Sequence, residues 1–422
     1  METVKIERLV HGGQGLATLA DGRRVFVWNA LPGETVNIRI IKSKHSYAEA
    51  IAEEVVEPAA DRVEPREANY LATSPWQIMT FAAENQAKRD IVEELFAHEK
   101  INLPALNDVK AGTKEWSYRN KMEYSFWGDE AGLHLALHQR GSHGKEIVTG
   151  SVLALPGLDE AAQAVLATLQ AIPDLRAAEL KSLIVRVSQT GAAVAALFVK
   201  TEKFPELALP SGLQGLEVYY SDRRSPASVT TKLLQTKGDI VLTDELLGHP
   251  FKHDVDSFFQ ANLPVFEQAL TVIKDELEPG AVTDMYSGTG AIGLSVAQGE
   301  VDLVELDDAC AAMAELNAAA SGLKAQVITT STEKALEYIL ADRPVIFDPP
   351  RAGLHSDVVE RVLAVKPPQV IYLSCNPATQ ARDLALLQTA YQIKRFEIFN
   401  FFPKTPHIET LAILMPLDYN KS

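Results

Sequence analysis

Cysteine is almost missing from this chain: two thiols, Cys310 and Cys375, stand in 422 residues. Two cannot build a disulfide framework or a four-thiolate metal site. No His/Cys cluster carries zinc-ligand spacing, so no metal is expected. No run of about 18 apolar residues occurs, which argues against a membrane-spanning helix. Met1 to Leu9 alternates charged and apolar residues without the apolar core of a signal peptide, and a cytoplasmic location is expected. Positive charge is in deficit. The net charge of −16 disfavours a nucleic-acid partner, because phosphate contacts prefer basic surfaces. The deficit is uneven, however. Residues 1–48 hold seven Lys/Arg against four Asp/Glu, a balance of +3 that leaves −19 for the remainder. A basic head on an acidic body is compatible with nucleic acid held by a local patch. Internal repeats and low-complexity tracts are absent as well.

What remains is an ordinary globular composition, 46% hydrophobic and 23% charged, with material for two or three cores. Residues 1–56 read as four or five short strands (VKIERLV, RRVFVWNA, ETVNIRIIK, YAEAIAEEVV). They are split by turns at His11-Gly12-Gly13, Ala20-Asp21-Gly22 and Leu31-Pro32-Gly33, a pattern that suits a small barrel of the OB type. Residues 57–69 are polar, carry two prolines and read as a linker. A helix is expected from Gln77 to Lys100. The stretch from Tyr118 to about Ile240 mixes a hairpin around Gly128-Asp129-Glu130, a helix at 158–171 and further strands, which indicates a separate α+β domain.

From about Ile240 the rhythm changes. Helices at 262–277, 291–298, 307–320, 332–340, 356–364 and 378–388 alternate with strands such as AVTDMY, VDLVEL, PVIFD and QVIYLS. Strands that are apolar on nearly every residue, alternating with helices, indicate a parallel sheet covered on both faces. The strands IKRFEIFN and IETLAILM close the chain.

The first strand of that region ends in Asp284-Met285-Tyr286-Ser287-Gly288-Thr289-Gly290. Glycines at a strand-to-helix turn let a ligand approach the backbone, at the end where open α/β sheets bind ligands. Glu305 ends the next strand, where an acid accepts hydrogen bonds from ribose hydroxyls. Ala291 follows Gly290, so the loop lacks a third, phosphate-packing glycine. That favours an adenosine ligand without a pyrophosphate, such as S-adenosylmethionine, over NAD. A structural turn with a solvated acid would carry the same residues.

Three further segments lie at or near the ends of later strands: Asp348-Pro349-Pro350-Arg351-Ala352-Gly353-Leu354, Ser374-Cys375-Asn376-Pro377, and Phe402 to Glu409. Loops at the carboxyl ends of parallel strands converge on one crevice, so Asp348 and Cys375 are expected to face the Tyr286–Gly290 loop. A thiol and a carboxylate suit one kind of reaction there. Carbon 5 of uracil is a weak nucleophile until a thiolate adds to carbon 6. After carbon 5 is alkylated, a base must remove its proton so that the thiol can leave. A cysteine after a buried strand is also a common core residue. Cys310, among Ala309, Ala311 and Ala312, reads as packing.

With these motifs together, the chain resembles the RNA (uracil-5-)methyltransferases over nearly its whole length. The likeness is densest in Asp256–Asn262 (DSFFQAN), Asp284–Gly290, Asp348–Leu354, Ser374–Leu384 (SCNPATQARDL) and Phe402–Thr410. It implies an α/β architecture: a C-terminal Rossmann-like class I methyltransferase domain, an N-terminal OB-type TRAM barrel that grips RNA, and a central α+β domain. The divisions are expected at 1–58, 59–245 and 246–422. It implies Cys375 as nucleophile and Glu409 as proton acceptor. Gln260, Tyr286, Glu305 and Asp348, with Gly288 and Gly290 in the loop, are implied to hold S-adenosylmethionine; Gln260 rests on the resemblance alone. Tyr118-Arg119-Asn120-Lys121 matches a motif near the RNA side, although Arg119 alone reads as a solvated strand residue.

Many members hold an iron–sulfur cluster on four cysteines. The matching stretch here, Asn69 to Gln77, has none, and two cysteines exclude a Cys-ligated cluster by count. The implied substrate is a loop or single-stranded uridine of ribosomal or transfer RNA, flipped out of its stack. A monomer without membrane contact is expected. A non-catalytic RNA-binding or RNA-folding factor, a cytosine-5 RNA methyltransferase and a small-molecule methyltransferase are the competing readings.

Overall fold

The computed structural model describes residues 2–140, 144–225 and 228–417. Met1 and residues 418–422, the extremes of the first and third expected domains, lie outside that range. The N-terminal unit has six strands, one or two more than the turn pattern suggests: Glu2–Lys5, Arg8–Leu9, Gly15–Thr18, Arg24–Trp28, Thr35–Ser43 and Tyr47–Glu57. Buried positions alternate with half-buried ones along residues 47–52 of the last strand. Its small residues Ala48, Ala50 and Ala52 pack against Val25, Val27, Val36 and Ile38, filling a narrow interior.

The expected linker is a strap tied to this barrel. Glu34 is fully buried, and a buried carboxylate needs donors. Arg62 supplies them from the strap at 2.6 and 2.9 Å, joined by the backbone N–H groups of Ala59 and Leu31. Arg62 also donates to the Asn29 carbonyl.

The central sheet has seven strands, and one helix, Leu158–Gln170, packs on it. Its hairpin joins Lys121–Asp129 to Gly132–His138, closing at the pair Asp129 and Gly132.

The third sheet has eight strands in the order Ala325–Thr329, Val301–Glu305, Val282–Met285, Val345–Phe347, Val370–Ser374, Glu409–Pro416, Tyr391–Asn400, Lys110–Ala111. The first five run parallel, as their apolar runs predict. Glu409–Pro416 then inserts antiparallel to both neighbours.

The eighth strand comes from the segment assigned by sequence to the central domain. So does helix Phe81–His98, capped at its start by Thr80. Its Ile91, Val92 and Phe96 share a core with this sheet, and Phe96 meets Phe396 edge to face at 4.9 Å. The expected division at 59–245 therefore cuts through the third layer. Periodicity shows that the helix is amphipathic but not which sheet, some 300 residues away, its apolar face covers. The helix expected at 332–340 is two 3₁₀ turns, Thr332–Lys334 and Leu336–Tyr338. No helix among the described residues is long and apolar enough to cross a membrane.

Candidate active site

One cavity of about 740 Å³ opens at the carboxyl ends of the parallel strands. Gln260, Tyr286, Gly288, Glu305, Asp348, Cys375 and Glu409 all line it. Gly290, expected beside them, does not. It starts helix Ala291–Val296 with φ 79°, and a Cβ there would meet Leu294 and Leu303 at 2.9 and 3.1 Å. It turns the chain under Leu294 in a conformation that favours glycine.

The antiparallel insertion decides the key geometry. Ser374 and Thr410 are directly paired across Val370–Ser374 and Glu409–Pro416. One step along that ladder, Cys375 and Glu409 leave adjacent strands side by side, about 5 Å apart at their Cα atoms for such a pairing. Asn376 then caps helix Pro377–Leu387, accepting from Ala378, and donates to the Arg351 carbonyl at 2.8 Å. This ties the Cys375 turn to the Asp348–Leu354 segment.

On the opposite wall Tyr286 adopts φ 63°, a conformation costly for a side-chain-bearing residue, and opens the turn through Gly288 (φ 56°). The Gly288 N–H donates to Glu305 at 2.7 Å, and the other Glu305 oxygen accepts from Leu306 and Asp307, both at 2.7 Å. Three backbone donors thus fix this carboxylate, and the oxygen that accepts only from Gly288 keeps a lone pair free for a ligand. Nearby, Ser287 Oγ, Thr289 Oγ1 and Asp284 Oδ1 are buried without a partner among the described residues. Beside Gly288 nothing lies closer than 4.0 Å to the space a Cβ would fill. Open space, unpartnered polar atoms and an oriented carboxylate fit a nucleoside-bearing ligand.

The charges follow from burial. Desolvation pushes the Asp348 carboxyl up to about 7 and, with Asp348 and Glu305 adding, Asp284 up to about 8. Glu409 is raised well above the usual carboxylate range by burial and by Asp348, opposed by Arg351 and Lys88. The Cys375 thiol is pushed up to about 12 by burial, then by Glu409 and Asp348, against Arg351. Burial and then the cations Arg351, Lys88, Arg119 and Arg140 push His407 down to about 4. Every shift favours the neutral form. A cationic ligand in the cavity would oppose the carboxyl and thiol shifts.

A family model for tRNA (uracil-5-)-methyltransferase matches residues 240–416, and a TRAM domain model matches residues 2–52. An uncharacterized RNA methyltransferase of Caldanaerobacter subterraneus subsp. tengcongensis is 30% identical over 444 residues, 98% of each chain. The chain belongs to the RNA (uracil-5-)methyltransferase family. A similar protein of Thermosynechococcus vestitus, also an uncharacterized RNA methyltransferase, is 29% identical across 97% of each chain. In architecture the chain resembles the Pyrococcus abyssi tRNA (uracil-54, C5)-methyltransferase, solved with S-adenosyl-L-homocysteine. The TM-score is 0.77 and identity 21%, with 98% of this chain and 100% of that one covered. As a member of this RNA methyltransferase family, the protein is an S-adenosylmethionine-dependent enzyme acting on RNA.

Sequence reasoning missed several cavity residues. Asp256 and Phe258 belong to the DSFFQAN segment, from which only Gln260 was singled out. Arg119 lines the cavity rather than facing solvent, and its Nε is buried without a partner among the described residues. Its position beside an Asn within a motif was the available signal. Cys310 packs as expected, but it also borders the cavity, and its sulfur accepts from the Phe258 N–H at 3.2 Å.

Proposed function

We propose that the enzyme methylates carbon 5 of a uridine in a loop or single-stranded stretch of transfer or ribosomal RNA. The observation that carries this reading is that Cys375 and Glu409, each one residue beyond the paired Ser374 and Thr410 of adjacent antiparallel strands, line the cavity that also contains the Gly288 turn. S-adenosylmethionine, when bound, supplies an electrophilic methyl group on a sulfonium. Glu305, Gln260, Tyr286 and Asp348, with Gly288, are the residues that would hold it.

Cys375 adds through its sulfur to carbon 6 of the flipped uracil, and the ring electrons move toward carbon 5, which takes the methyl group. Glu409 then accepts the carbon-5 proton. That electron pair re-forms the 5,6 double bond, the carbon–sulfur bond breaks, and the thiolate is regenerated. A carboxylate whose affinity for protons is raised is a stronger base for this step. Arg351 opposes the thiol's raised affinity for its proton and sits at the same rim, which suits activation of Cys375. Arg119 brings a buried donor to the wall where an RNA base or phosphate would enter. We take the enzyme to act as a monomer in the cytoplasm.

The test is nucleoside analysis of RNA methylated by the purified enzyme. The expected product is 5-methyluridine, absent with Cys375→Ala. A 5-methylcytidine product would instead establish the cytosine reading. No methylated nucleoside from any cellular RNA would favour a non-catalytic RNA-folding role.

A further inference from the structure

Beneath the Cys375–Glu409 pair lies a buried charge cluster that the reaction scheme leaves unused. Glu84 and Lys88, one turn apart on helix Phe81–His98, are both fully buried and 3.1 Å apart. Burying two charges is unfavourable unless geometry and further hydrogen bonds repay it. Here the repayment goes to one loop. Lys88 Nζ donates to Asn400 Oδ1 at 2.5 Å and to the Phe402 carbonyl at 3.2 Å. Glu84 accepts from the Lys404 backbone N–H at 3.0 Å through each oxygen, and from Asn400 Nδ2 at 2.8 Å. Lys404 holds φ 64°, and its ammonium is shared among Glu115 at 2.8 Å, Glu84 at 3.8 Å and the Met79 carbonyl. These contacts span the connection between strands Tyr391–Asn400 and Glu409–Pro416, whose residues Phe402, His407 and Glu409 line the cavity.

We propose that Lys88, anchored by Glu84, is a positioning residue that sets both the place and the ionisation of Glu409. The proposal rests on the reading of Glu409 as the base. The charges that bear on Glu409 are Asp348, which opposes its ionisation, and Arg351 and Lys88, which favour it. Burial works against the Lys88 charge, Glu84 and then Glu409 support it, Lys404 opposes it, and the Trp76 ring lies 5.8 Å from its Nζ. The segment that Lys88 holds, Asn400 and Phe402, leads along the chain to Glu409, whereas the Cys375 turn is tied through Asn376 to the Arg351 carbonyl. Lys88 therefore acts on proton removal and release, not on formation of the carbon–sulfur bond. In the affected step the carbon-5 C–H pair re-forms the double bond, the carbon–sulfur bond breaks, and the proton ends on Glu409.

Covalent RNA–protein adduct, formed with unmodified RNA and S-adenosylmethionine, is followed over time at several pH values. The variants are Lys88→Met, Lys88→Arg and the charge-neutral pair Glu84→Gln with Lys88→Met. Expected are adduct formation near the native rate and release slower by up to about tenfold at neutral pH for each unit by which Glu409 rises, because the loss of ionised carboxylate outweighs its greater basicity. Release should recover toward alkaline pH, and Lys88→Arg should stay near native. Native release by a folded Lys88→Met or double variant overturns the proposal. So does slow release that alkaline pH does not lift, which would make the cluster scaffold alone. So does failure of both charge-removing variants to fold while Lys88→Arg is native. Glu409→Gln separates the two readings: if it releases RNA normally, the base assignment itself fails, whatever Lys88 does.

Discussion

Replacing Glu409 by Gln removes the proposed base while keeping its shape. The side chain is 4% exposed, and no donor among the described residues hydrogen-bonds its carboxyl. Burial favours its protonated form, which Gln imitates closely. The fold should therefore tolerate the change, and the sign of the stability effect follows from linkage. A carboxyl whose proton affinity is raised on folding contributes stability that is fully present below the unfolded value of 4.5 and is lost as pH rises toward the folded value. The variant should thus match the native protein near pH 4 and exceed it in Tm near pH 8. Chemistry should suffer much more. General-base catalysis contributes about 10²–10⁴-fold, or roughly 3–5 kcal/mol of barrier. The loss should fall on release, so methylated RNA stays attached to Cys375 and appears as a slow-migrating band on denaturing gels. Free 5-methyluridine RNA formed at the native rate, with no band, would refute the reasoning.

Four other variants carry expected outcomes. Asp348→Asn should raise stability above neutral pH by at most about 4 kcal/mol, since the carboxyl moves from 3.8 to about 7 on folding; partial exposure will reduce this, and thermal melts at pH 5 and 8 measure it. The same variant should weaken S-adenosylmethionine binding in titration calorimetry. Gly290→Ala should cost about 1–2 kcal/mol in denaturant unfolding, because φ 79° and the Leu294 and Leu303 contacts both oppose a Cβ. Arg62→Ala should cost about 3–5 kcal/mol, leaving Glu34 buried without its cation and loosening the barrel, read as faster hydrogen exchange in residues 24–57. Cys310→Ala should retain adduct formation, read on the same denaturing gels.

The chemistry-bearing residues were legible because they stand in short segments at strand ends, where loops of a parallel sheet must converge. Asp348, Cys375 and the Gly288 turn follow from that rule. Glu409 does not. It reaches the cavity because its strand runs against the others, and apolar runs do not encode direction. Pairing information was likewise out of reach: helix Phe81–His98 is visible as a helix, but the i, i+4 spacing of Glu84 and Lys88 is the same for a surface pair as for a buried one. Only the packed fold puts both at zero exposure under the 401–408 loop. Gly290 was placed in the right turn, but a glycine that spares a clash and one that admits a ligand look alike in sequence, and the contact with Leu294 shows only in the fold. The strap at 57–69 has a linker's composition, and nothing local announces that Arg62 must neutralise a carboxylate 28 positions earlier.

The account turns on one sulfur attacking a uracil ring beside one carboxylate. Target RNA carrying 5-fluorouridine cannot lose a proton from carbon 5 and should leave the enzyme covalently trapped. Digestion and mass mapping of the trapped complex should find the nucleotide on Cys375. A nucleotide found on Cys310, or a complex that forms undiminished with Cys375→Ala, would contradict it.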